Sequence, residues 1–310
     1  MGRVLVTGAS GFVGTALVPA LAATGWQVRA ATRNPAQVSF PGSVDVAAVP
    51  DFREKVAWRE LLDGIECVVH LAGIAHTGLG CDEAAYDQVI YRASVDLAQA
   101  CDAAGVGRLV FVSSVRAQSG PAADHVLRED DAPLPSDTYG RAKLKAEDAV
   151  RVCRTPSTIL RPVMVYGPGA KGNLAGLVRL ADTSWPLPFA SLSNTRSLLG
   201  LDNLLSAISF ALDPNAAVGE TFLVADPEPV SLADLVASLR EGLGRPARLV
   251  PVPAWVLAAT LGTIARRDLW QRLGGTLVVD PGKLIRAGWQ PNSDTRAGLA
   301  RMAKASRRHV

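Results

Sequence analysis

A glycine-rich turn near the N-terminus constrains the fold more than any other feature of the sequence. The motif VTGASGFVG places Gly8, Gly11 and Gly14 between a short β-branched run, RVLVT, and a helical pattern, TALVPALAATG. Glycines at this spacing permit a tight turn and let backbone N–H groups approach a pyrophosphate at a helix N-terminus. The motif therefore predicts a dinucleotide site, with a purely structural turn as the alternative. The loop residues expected to contact the dinucleotide are Gly8, Ser10, Gly11, Phe12, Val13 and Gly14.

Apolar strands and helical patterns alternate through the first two-thirds of the chain. Buried strands are indicated by the runs QVRAATR, ECVVHLAG, RLVFVSS and STILRPVMVYG, and helices by the residues at about 82–104 and 138–153. Near-continuous apolar strands suit a parallel sheet that is covered on both faces. The alternation predicts an α/β fold, a Rossmann-type doubly wound parallel sheet.

The composition of the sequence changes after about residue 168, where Pro-, Gly- and Ser-rich connections such as SWPLPFASLSN separate shorter predicted elements. We therefore expect residues 1–167 to form an NAD(P)-binding Rossmann domain, with residues 197–226 returning to it. Residues 168–196 and 227–310 are expected to form a smaller, interwoven C-terminal lobe that binds substrate.

Composition argues against several other classes of protein. The chain has 310 residues, 48% of them hydrophobic, and a net charge of +3. Its basic residues are spread out and do not interleave with aromatic ones, which gives nucleic-acid binding little support. The four cysteines have no C-x-x-C spacing, so neither a zinc site nor a disulfide framework is expected, and free thiols fit better.

The longest apolar stretch, residues 253–265, is shorter than the ~20 residues that a membrane-spanning helix needs. It is interpreted as a buried or interface helix, with a peripheral membrane contact as the alternative. The first apolar run is too short for the core of a signal peptide. We expect a cytoplasmic protein with no membrane span.

A tyrosine and a lysine four residues apart, Tyr139 and Lys143, lie on the second of the predicted helices, and Ser114 ends the strand VFVSS before it. A phenol has a pKa near 10, so it is a poor base at neutral pH. An adjacent ammonium and a bound nicotinamide cation would both favour the phenolate. Tyr139 is then expected to move a proton at a hydroxyl or carbonyl that Ser114 also contacts, while hydride moves at the nicotinamide. The alternative is an ordinary pair of surface neighbours.

The segments VTGASGFVG, VVHLAG, VFVSS, YGRAK, LRPVMVYGPG and TRSLLGLDN occur in an order and at a spacing that resemble a known family. The chain resembles the extended short-chain dehydrogenases/reductases, the nucleotide-sugar epimerase/dehydratase family, over nearly all of its length. The resemblance implies that Ser114, Tyr139 and Lys143 are catalytic. It also implies that Lys143 binds the nicotinamide ribose.

The same resemblance implies further contacts. The strand end that passes the cofactor ribose corresponds to His70, Leu71, Ala72 and Gly73, and the strand beside the nicotinamide carries Arg161 and Pro162. Substrate contacts are expected from Ser114, Arg116, Asn173 and Arg196, the last two at the phosphates of a nucleotide sugar. For Asn173 and Arg196, loop capping or a solvated charge is the alternative. The chain departs from the family at Ile90 and Ser94, where Asn and Thr are usual, so a detail of the proton relay is expected to be lost.

The choice of cofactor depends on the end of the second strand. NAD-binding proteins usually place an acid there for the ribose 2′-hydroxyl, whereas this chain has Thr32 and Arg33. An arginine can pair with a 2′-phosphate, so we expect NADP in preference to NAD. The alternative is that Arg33 is a solvated loop residue. Asp51 and Phe52, after the next strand, are expected to flank the adenine.

The two residues after Ser114 limit which reactions of the family are possible. Dehydratases of the family have an Asp-Glu pair there, and this chain has Val115 and Arg116, so dehydration is not expected. Epimerisation at C3 and C5 is also set aside, because neither Cys153 nor His125 has the matching context. The missing acid after the second strand and the presence of Arg33 favour exchange of NADPH, and so a reductase. The segments RLGGTLVVDPGKLIRAGWQP and SLSNTRSLLGLDN resemble members of the family from bacterial polysaccharide clusters. This resemblance implies reduction of a UDP-4-keto-6-deoxy-hexosamine for surface polysaccharide synthesis. The alternatives are a UDP-glucose or UDP-N-acetylglucosamine 4-epimerase, a small-molecule ketoreductase and a non-catalytic NAD(P)H-binding regulator.

The resemblance also implies a homodimer, in which the helices at about 84–104 and 138–153 pack across a two-fold axis. The first of these helices has apolar residues on more than one face, which favours a second partner. These residues are Val89, Val95, Leu97 and Ala100. A helix that is fully buried within a monomer is the alternative.

Overall fold

The computed structural model describes residues 2–74, 82–170, 172–213, 218–253, 256 and 275–307. Its strands are β1 Arg3–Thr7, β2 Gln27–Thr32, β3 Asp45–Ala48, β4 Cys67–His70, β5 Arg108–Val112, β6 Ser157–Pro162, β7 Met164–Tyr166, β8 Thr195–Arg196, β9 Leu198–Gly200, β10 Thr221–Val224 and β11 Val230–Ser231. Its helices are α1 Gly14–Ala23, α2 Trp58–Leu61, α3 Glu83–Tyr86, α4 Ala93–Ala104, α5 Thr138–Arg151, α6 Asn173–Ala181, α7 Leu201–Leu212, α8 Leu232–Gly242, α9 Gly282–Arg286 and α10 Thr295–Ser306.

Seven strands form one parallel sheet in the order β10-β6-β5-β4-β1-β2-β3. The strand order reverses at β1, which has β2 on one side and β4 on the other. In the register of β1 and β4, Thr7 lies opposite His70. Ligands of open parallel sheets bind outside the carboxyl ends of the strands at such a reversal. The prediction of a doubly wound parallel sheet is therefore confirmed, and β10 adds a strand from the segment 197–226.

The sheet is apolar on both faces because alternate residues of each strand point to opposite sides. On one face Val4 and Val6 pack with Leu17 of α1 and Leu204 of α7. On the other face Leu5 belongs to a second cluster that includes apolar residues of α4 and α5. This double burial explains why the strands of the sheet have near-continuous apolar sequences.

A third apolar cluster lies among α6, α8 and α10, and it includes Leu177, Leu239 and Leu299. Beside it the guanidinium of Arg240 is almost completely buried. The three nitrogens of this guanidinium donate to backbone oxygens of two chain segments. In the first segment the acceptors are Ala181 at 3.2 Å, Thr183 at 3.1 Å and Trp185 at 2.6 Å. In the second they are Ala247 at 2.7 Å and Arg248 at 3.5 Å. Most of the stretch 253–265 lies outside the described residues. Within the described ranges, no helix is both long and apolar enough to cross a membrane.

The helix expected at about 82–104 is divided in the structure. A π-helical turn, Asp87–Arg92, lies between α3 and α4. Ser94 stabilises the wider turn, because its hydroxyl donates to the backbone oxygen of Ile90 at 2.6 Å. Such turns are frequent at functional sites. The helix expected at 138–153 begins at Thr138, where Asp137 caps it by accepting from the Gly140 N–H at 2.7 Å, and it ends two residues early, at Arg151.

Candidate active site

The glycine-rich loop between β1 and α1 requires glycine at two positions. Gly8 has φ +69, and a Cβ there would lie 2.9 Å from the backbone nitrogen of Ala72. A Cβ at Gly14 would lie 2.3 Å from the carbonyl oxygen of Gly8. Among the described residues, no side chain caps the N-terminus of α1, and its first turn contains no acid. The loop is therefore closely folded and leaves a positive helix end for a phosphate group.

A cleft of about 340 Å³ lies next to this loop. It is lined by Ser10, Thr15, Arg33, Asn34, Gln37, Val38, Ser39 and Phe40. None of the described residues in this lining is acidic. Arg33 is mostly exposed, and its guanidinium donates to the Asp51 carboxylate at 3.2 Å. The cleft can therefore accept a negatively charged group, in competition with Asp51.

Asp51 and Phe52 differ in where their side chains lie. The Arg53 backbone N–H, and to a smaller extent Arg33, lowers the pKa of Asp51. Phe52 is buried in the second apolar cluster, with its ring 5.7 Å from that of Trp58 and 6.3 Å from that of His70. Phe52 thus serves the core, whereas Asp51 stays near the cleft.

His70, at the end of β4, is buried in a small polar cluster. Its Nδ1 lies 2.7 Å from the Thr7 hydroxyl and its Nε2 lies 3.3 Å from the Ser94 hydroxyl. Because Ser94 donates its proton to Ile90, it can only accept from His70, which assigns the ring proton to Nε2. Burial, assisted by the charge of Lys143, lowers the pKa of His70 to about 3. His70 is therefore a neutral structural link between β1, β4 and α4.

The residues that follow β4 lead directly to the predicted catalytic lysine. Leu71 and Ala72 lie beside the glycine loop, where the Ala72 N–H donates to the Thr7 hydroxyl at 3.4 Å. A Cβ at Gly73 would lie 3.8 Å from both the Lys143 Nζ and the Ile90 Cγ1. The apolar Ile90 therefore stands close to the ammonium, at the position where the resemblance leads one to expect an asparagine.

Ser114, Tyr139 and Lys143 come together at the carboxyl end of the sheet. The Ser114 hydroxyl is hydrogen-bonded to the Tyr139 phenol. Lys143, one turn further along α5, donates to the Val112 backbone oxygen at 3.1 Å, and its Nζ lies 5.0 Å from the centre of the Phe111 ring. Ser114 and Tyr139 are thus bonded to each other, with Lys143 on the same helix as Tyr139, and this group of three residues is called the Tyr139 pocket below.

The two ionisable groups of this pocket are strongly perturbed by burial. Burial raises the pKa of Tyr139 to about 12, against the opposing hydrogen bond from Ser114. Burial lowers the pKa of Lys143 to about 8, against the opposing charge of Glu147. In the protein alone the phenol is therefore protonated at neutral pH, and an added positive charge at the site would be needed to release its proton.

Arg116 and Arg196 lie close to each other near this pocket. Arg116 pairs with the Asp137 carboxylate, and its buried Nε has no hydrogen-bond partner among the described residues. Arg196 donates to the backbone oxygens of Gly275 and Pro121 at 2.9 and 2.8 Å. Burial, and then the charge of Arg116, lowers the pKa of Arg196 to about 10. Two partly desolvated guanidinium groups suit an anionic ligand. The side chain of Asn173, at the start of α6, lies outside the described residues.

One group of site residues was missed by the sequence analysis. Glu147 is fully buried, and Arg161 donates to its carboxylate through Nη2 at 2.6 Å. The guanidinium of Arg161 is therefore turned towards α5, and Pro162 follows it in β6. A signal was available, because Tyr139, Lys143 and Glu147 are spaced four apart and so lie on one face of a helix.

The glycine loop, the parallel sheet and the Ser–Tyr–Lys arrangement at its carboxyl edge define a protein of the short-chain dehydrogenase/reductase class, of the extended type. The chain belongs to the NAD dependent epimerase/dehydratase family, whose model matches residues 4–225.

Individual relatives agree with this membership. The chain is 33% identical over 315 residues to a UDP-glucose 4-epimerase of Vibrio cholerae, with 97% of this chain and 94% of the relative covered. It is 29% identical to a ceramide reductase of Caulobacter vibrioides, over 94% of this chain and 87% of the relative. The solved structure of MoeE5 in complex with UDP-glucuronic acid and NAD superimposes with a TM-score of 0.76, at 25% identity and over 100% of both chains.

Proposed function

We propose that this protein is an NAD(P)-dependent enzyme that acts at C4 of a nucleotide-activated sugar, and that it works as a 4-epimerase. The observation that carries the proposal is the Ser114–Tyr139 hydrogen bond with Lys143 one turn below it, beside the glycine loop. The match to a UDP-glucose 4-epimerase over nearly the whole chain supports epimerisation in preference to a single reduction.

Each residue of the pocket has a defined task in this proposal. Tyr139 takes the proton of the C4 hydroxyl, Ser114 donates to the same oxygen, and the Lys143 ammonium favours the phenolate. A bound nicotinamide cofactor would supply the hydride chemistry at C4, which an epimerase needs once in each direction. Tyr139 then returns the proton, so neither net redox change nor net proton uptake results.

The residues present fit a dinucleotide. The loop and the open N-terminus of α1 would hold the pyrophosphate, and the residues after β4 would pass the ribose. We also propose that the cleft at Arg33 accepts a 2′-phosphate, which would favour NADP over NAD. This cleft supports a second candidate function, the single reduction of a UDP-4-keto-6-deoxy-hexosamine by NADPH.

The substrate is proposed to lie between the Tyr139 pocket and a lobe formed by residues 168–196 and 227–310. Arg196 and Asn173 would contact the diphosphate, and Arg116 would contact the sugar through its buried Nε. We also propose a homodimer through α4 and α5. On this helix pair Val95 and Ala100 are only partly buried, and Val152 beyond α5 is 83% exposed. Light scattering on the purified chain tests the dimer.

The first experiment asks which cofactor and which sugar the enzyme uses. The purified protein is incubated with UDP-glucose and UDP-N-acetylglucosamine without added cofactor, the sugars are separated, and any bound cofactor is extracted and identified. Formation of the C4 epimer with retained NAD supports the epimerase. Oxidation of added NADPH by a 4-keto sugar nucleotide, without epimer formation, supports the reductase instead.

The role of Tyr139 is tested with two matched substitutions. Tyr139→Phe is expected to lower kcat by about 10²–10⁴-fold, the range of general acid–base catalysis, while cofactor binding is retained. Tyr91→Phe, on the π-helical turn, is expected to change neither. Equal turnover by the wild type and Tyr139→Phe would exclude the proposed proton transfer.

A further inference from the structure

A buried carboxylate lies one helical turn beyond Lys143. Glu147 is 0% exposed, and it accepts hydrogen bonds from three side chains. Ser113 donates to Oε1 at 2.5 Å, Arg161 donates from Nε at 3.0 and 3.2 Å and from Nη2 at 2.6 Å, and Arg151 donates to Oε2 at 2.8 Å. Two of these donors, Arg161 and Arg151, are cationic, and hydrogen bonds from cationic donors to a carboxylate are the strong ones.

This carboxylate joins the elements that carry the reacting groups. Glu147 belongs to α5, with Tyr139 and Lys143, whereas Ser113 directly precedes Ser114 after β5. Arg161 extends the network to β6, and its Nη1 donates to the Gln118 Oε1 at 2.8 Å. A shift of α5 along the sheet would therefore break charged hydrogen bonds in a buried environment.

The same carboxylate is the nearby negative charge that acts on Lys143. Burial lowers the pKa of Lys143, and Glu147 is the group that opposes this effect. His70 is neutral at the other side, and the Asp87–Arg92 pair on the π-helical turn is largely exposed. The titratable and charged groups around Lys143 and Tyr139, from the elements packed on α5, are Glu147, Arg161, His70, Tyr86, Arg116, Asp137 and the Asp87–Arg92 pair.

We propose that Glu147 is a positioning residue of the active site, which holds Ser114 in register with Tyr139 and keeps the Lys143 ammonium charged in the buried pocket. The role of Arg161 is to hold the Glu147 carboxylate in place. This inference rests on the proposed function for its catalytic meaning, but the effect on Lys143 is a property of the protein without substrate.

The decisive experiment measures the titration of Lys143 directly. Lysines are labelled with ¹³C at Cε, and the Lys143 signal is identified by its absence in Lys143→Met. In Glu147→Gln, which keeps an acceptor for Ser113 but removes the charge, the midpoint of Lys143 is expected to fall by about 1 pH unit. Arg151→Gln removes a more exposed partner of the same carboxylate and is expected to leave the midpoint unchanged.

Turnover provides the second readout. In Glu147→Gln the falling alkaline limb of kcat is expected to move to lower pH with the Lys143 midpoint. At pH 8, kcat is expected to fall about fivefold, with KM within about twofold. A uniform loss of kcat at every pH, with an unchanged Lys143 midpoint, would mean that Glu147 is merely structural and would overturn the proposal.

Two further cases are a Glu147→Gln variant that does not fold and a wild type that is inactive on nucleotide sugars. If Glu147→Gln does not fold, Glu147→Gln/Arg161→Gln removes both charges of the buried pair, which proteins usually tolerate better than removal of one. The same fall of the Lys143 midpoint is expected there, and an unchanged midpoint overturns the proposal. If the wild type acts on no nucleotide sugar while the midpoint shifts, the proposed function fails and the role of Glu147 at Lys143 stands.

Discussion

Replacing Lys143 by methionine is expected to stabilise the protein while abolishing turnover. Lys143 is buried, and its pKa falls from 10.5 to about 8 on folding. At 1.36 kcal/mol per pKa unit, this shift corresponds to about 3 kcal/mol of destabilisation by the buried ammonium at neutral pH. Loss of the hydrogen bond to the Val112 oxygen offsets about 1 kcal/mol of the gain. We therefore expect Lys143→Met to raise the free energy of unfolding by about 2 kcal/mol at pH 7.

The pH dependence of this gain follows from the sign of the shift. Because the folded pKa lies below the unfolded one, the penalty is fully present below about pH 8 and disappears as the pH rises through 10.5. Urea unfolding at pH 7 and pH 10 measures the difference between wild type and Lys143→Met. It should shrink to within about 1 kcal/mol of zero at pH 10.

A neighbouring residue provides the control. Lys145 lies on the same helix and is exposed, so Lys145→Met should change stability by less than about 0.5 kcal/mol at either pH. The reasoning is refuted if Lys143→Met is no more stable than the wild type at pH 7, or if its advantage is the same at both pH values.

Two other outcomes are expected from residues away from the Tyr139 pocket. Arg33→Ala should weaken NADPH binding about tenfold in a fluorescence titration and leave NADH binding unchanged, because a 2′-phosphate loses a charged donor. Arg53→Ala removes the other arginine beside Asp51 and should change the binding of neither cofactor. Equal losses of NADPH and NADH binding in Arg33→Ala would contradict the role of the cleft. His70→Asn should flatten the acid side of the stability profile. The imidazole of the wild type binds a proton more readily when unfolded, so stability falls by about 1.4 kcal/mol per pH unit from pH 6.5 towards its folded pKa of about 3; urea unfolding between pH 7 and pH 4 that gives parallel curves would contradict this.

The sheet could be predicted from the sequence because short stretches of sequence are enough to identify its strands. A strand buried on both faces has to be apolar at nearly every position, as in RLVFV of β5, and the glycine loop fixes where the first strand ends. The π-helical turn could not be predicted in the same way. It depends on the position of Ser94, which bonds both Ile90 and His70, and His70 belongs to a different element.

The site shows the same division between local and long-range information. Ser114, Tyr139 and Lys143 belong to short motifs, so their meeting was expected. Two of the three partners of Glu147, Arg161 and Ser113, are 14 and 34 residues away along the chain, and nothing in the local sequence indicates that they meet. Phe52 illustrates the opposite error, because an aromatic residue after a strand can face a ligand or the core, and here it packs in the core.

The guanidinium of Arg240 has a consequence for how the molecule opens. Its donors bind oxygens at 181–185 and at 247–248, two segments about sixty residues apart in sequence. If either segment opens, the buried guanidinium loses some of the oxygens that replace its water of hydration. The cost of opening one segment therefore depends on whether the other stays in place. The amide protons of both segments should therefore exchange with solvent as one cooperative unit, slower than those of an ordinary surface loop.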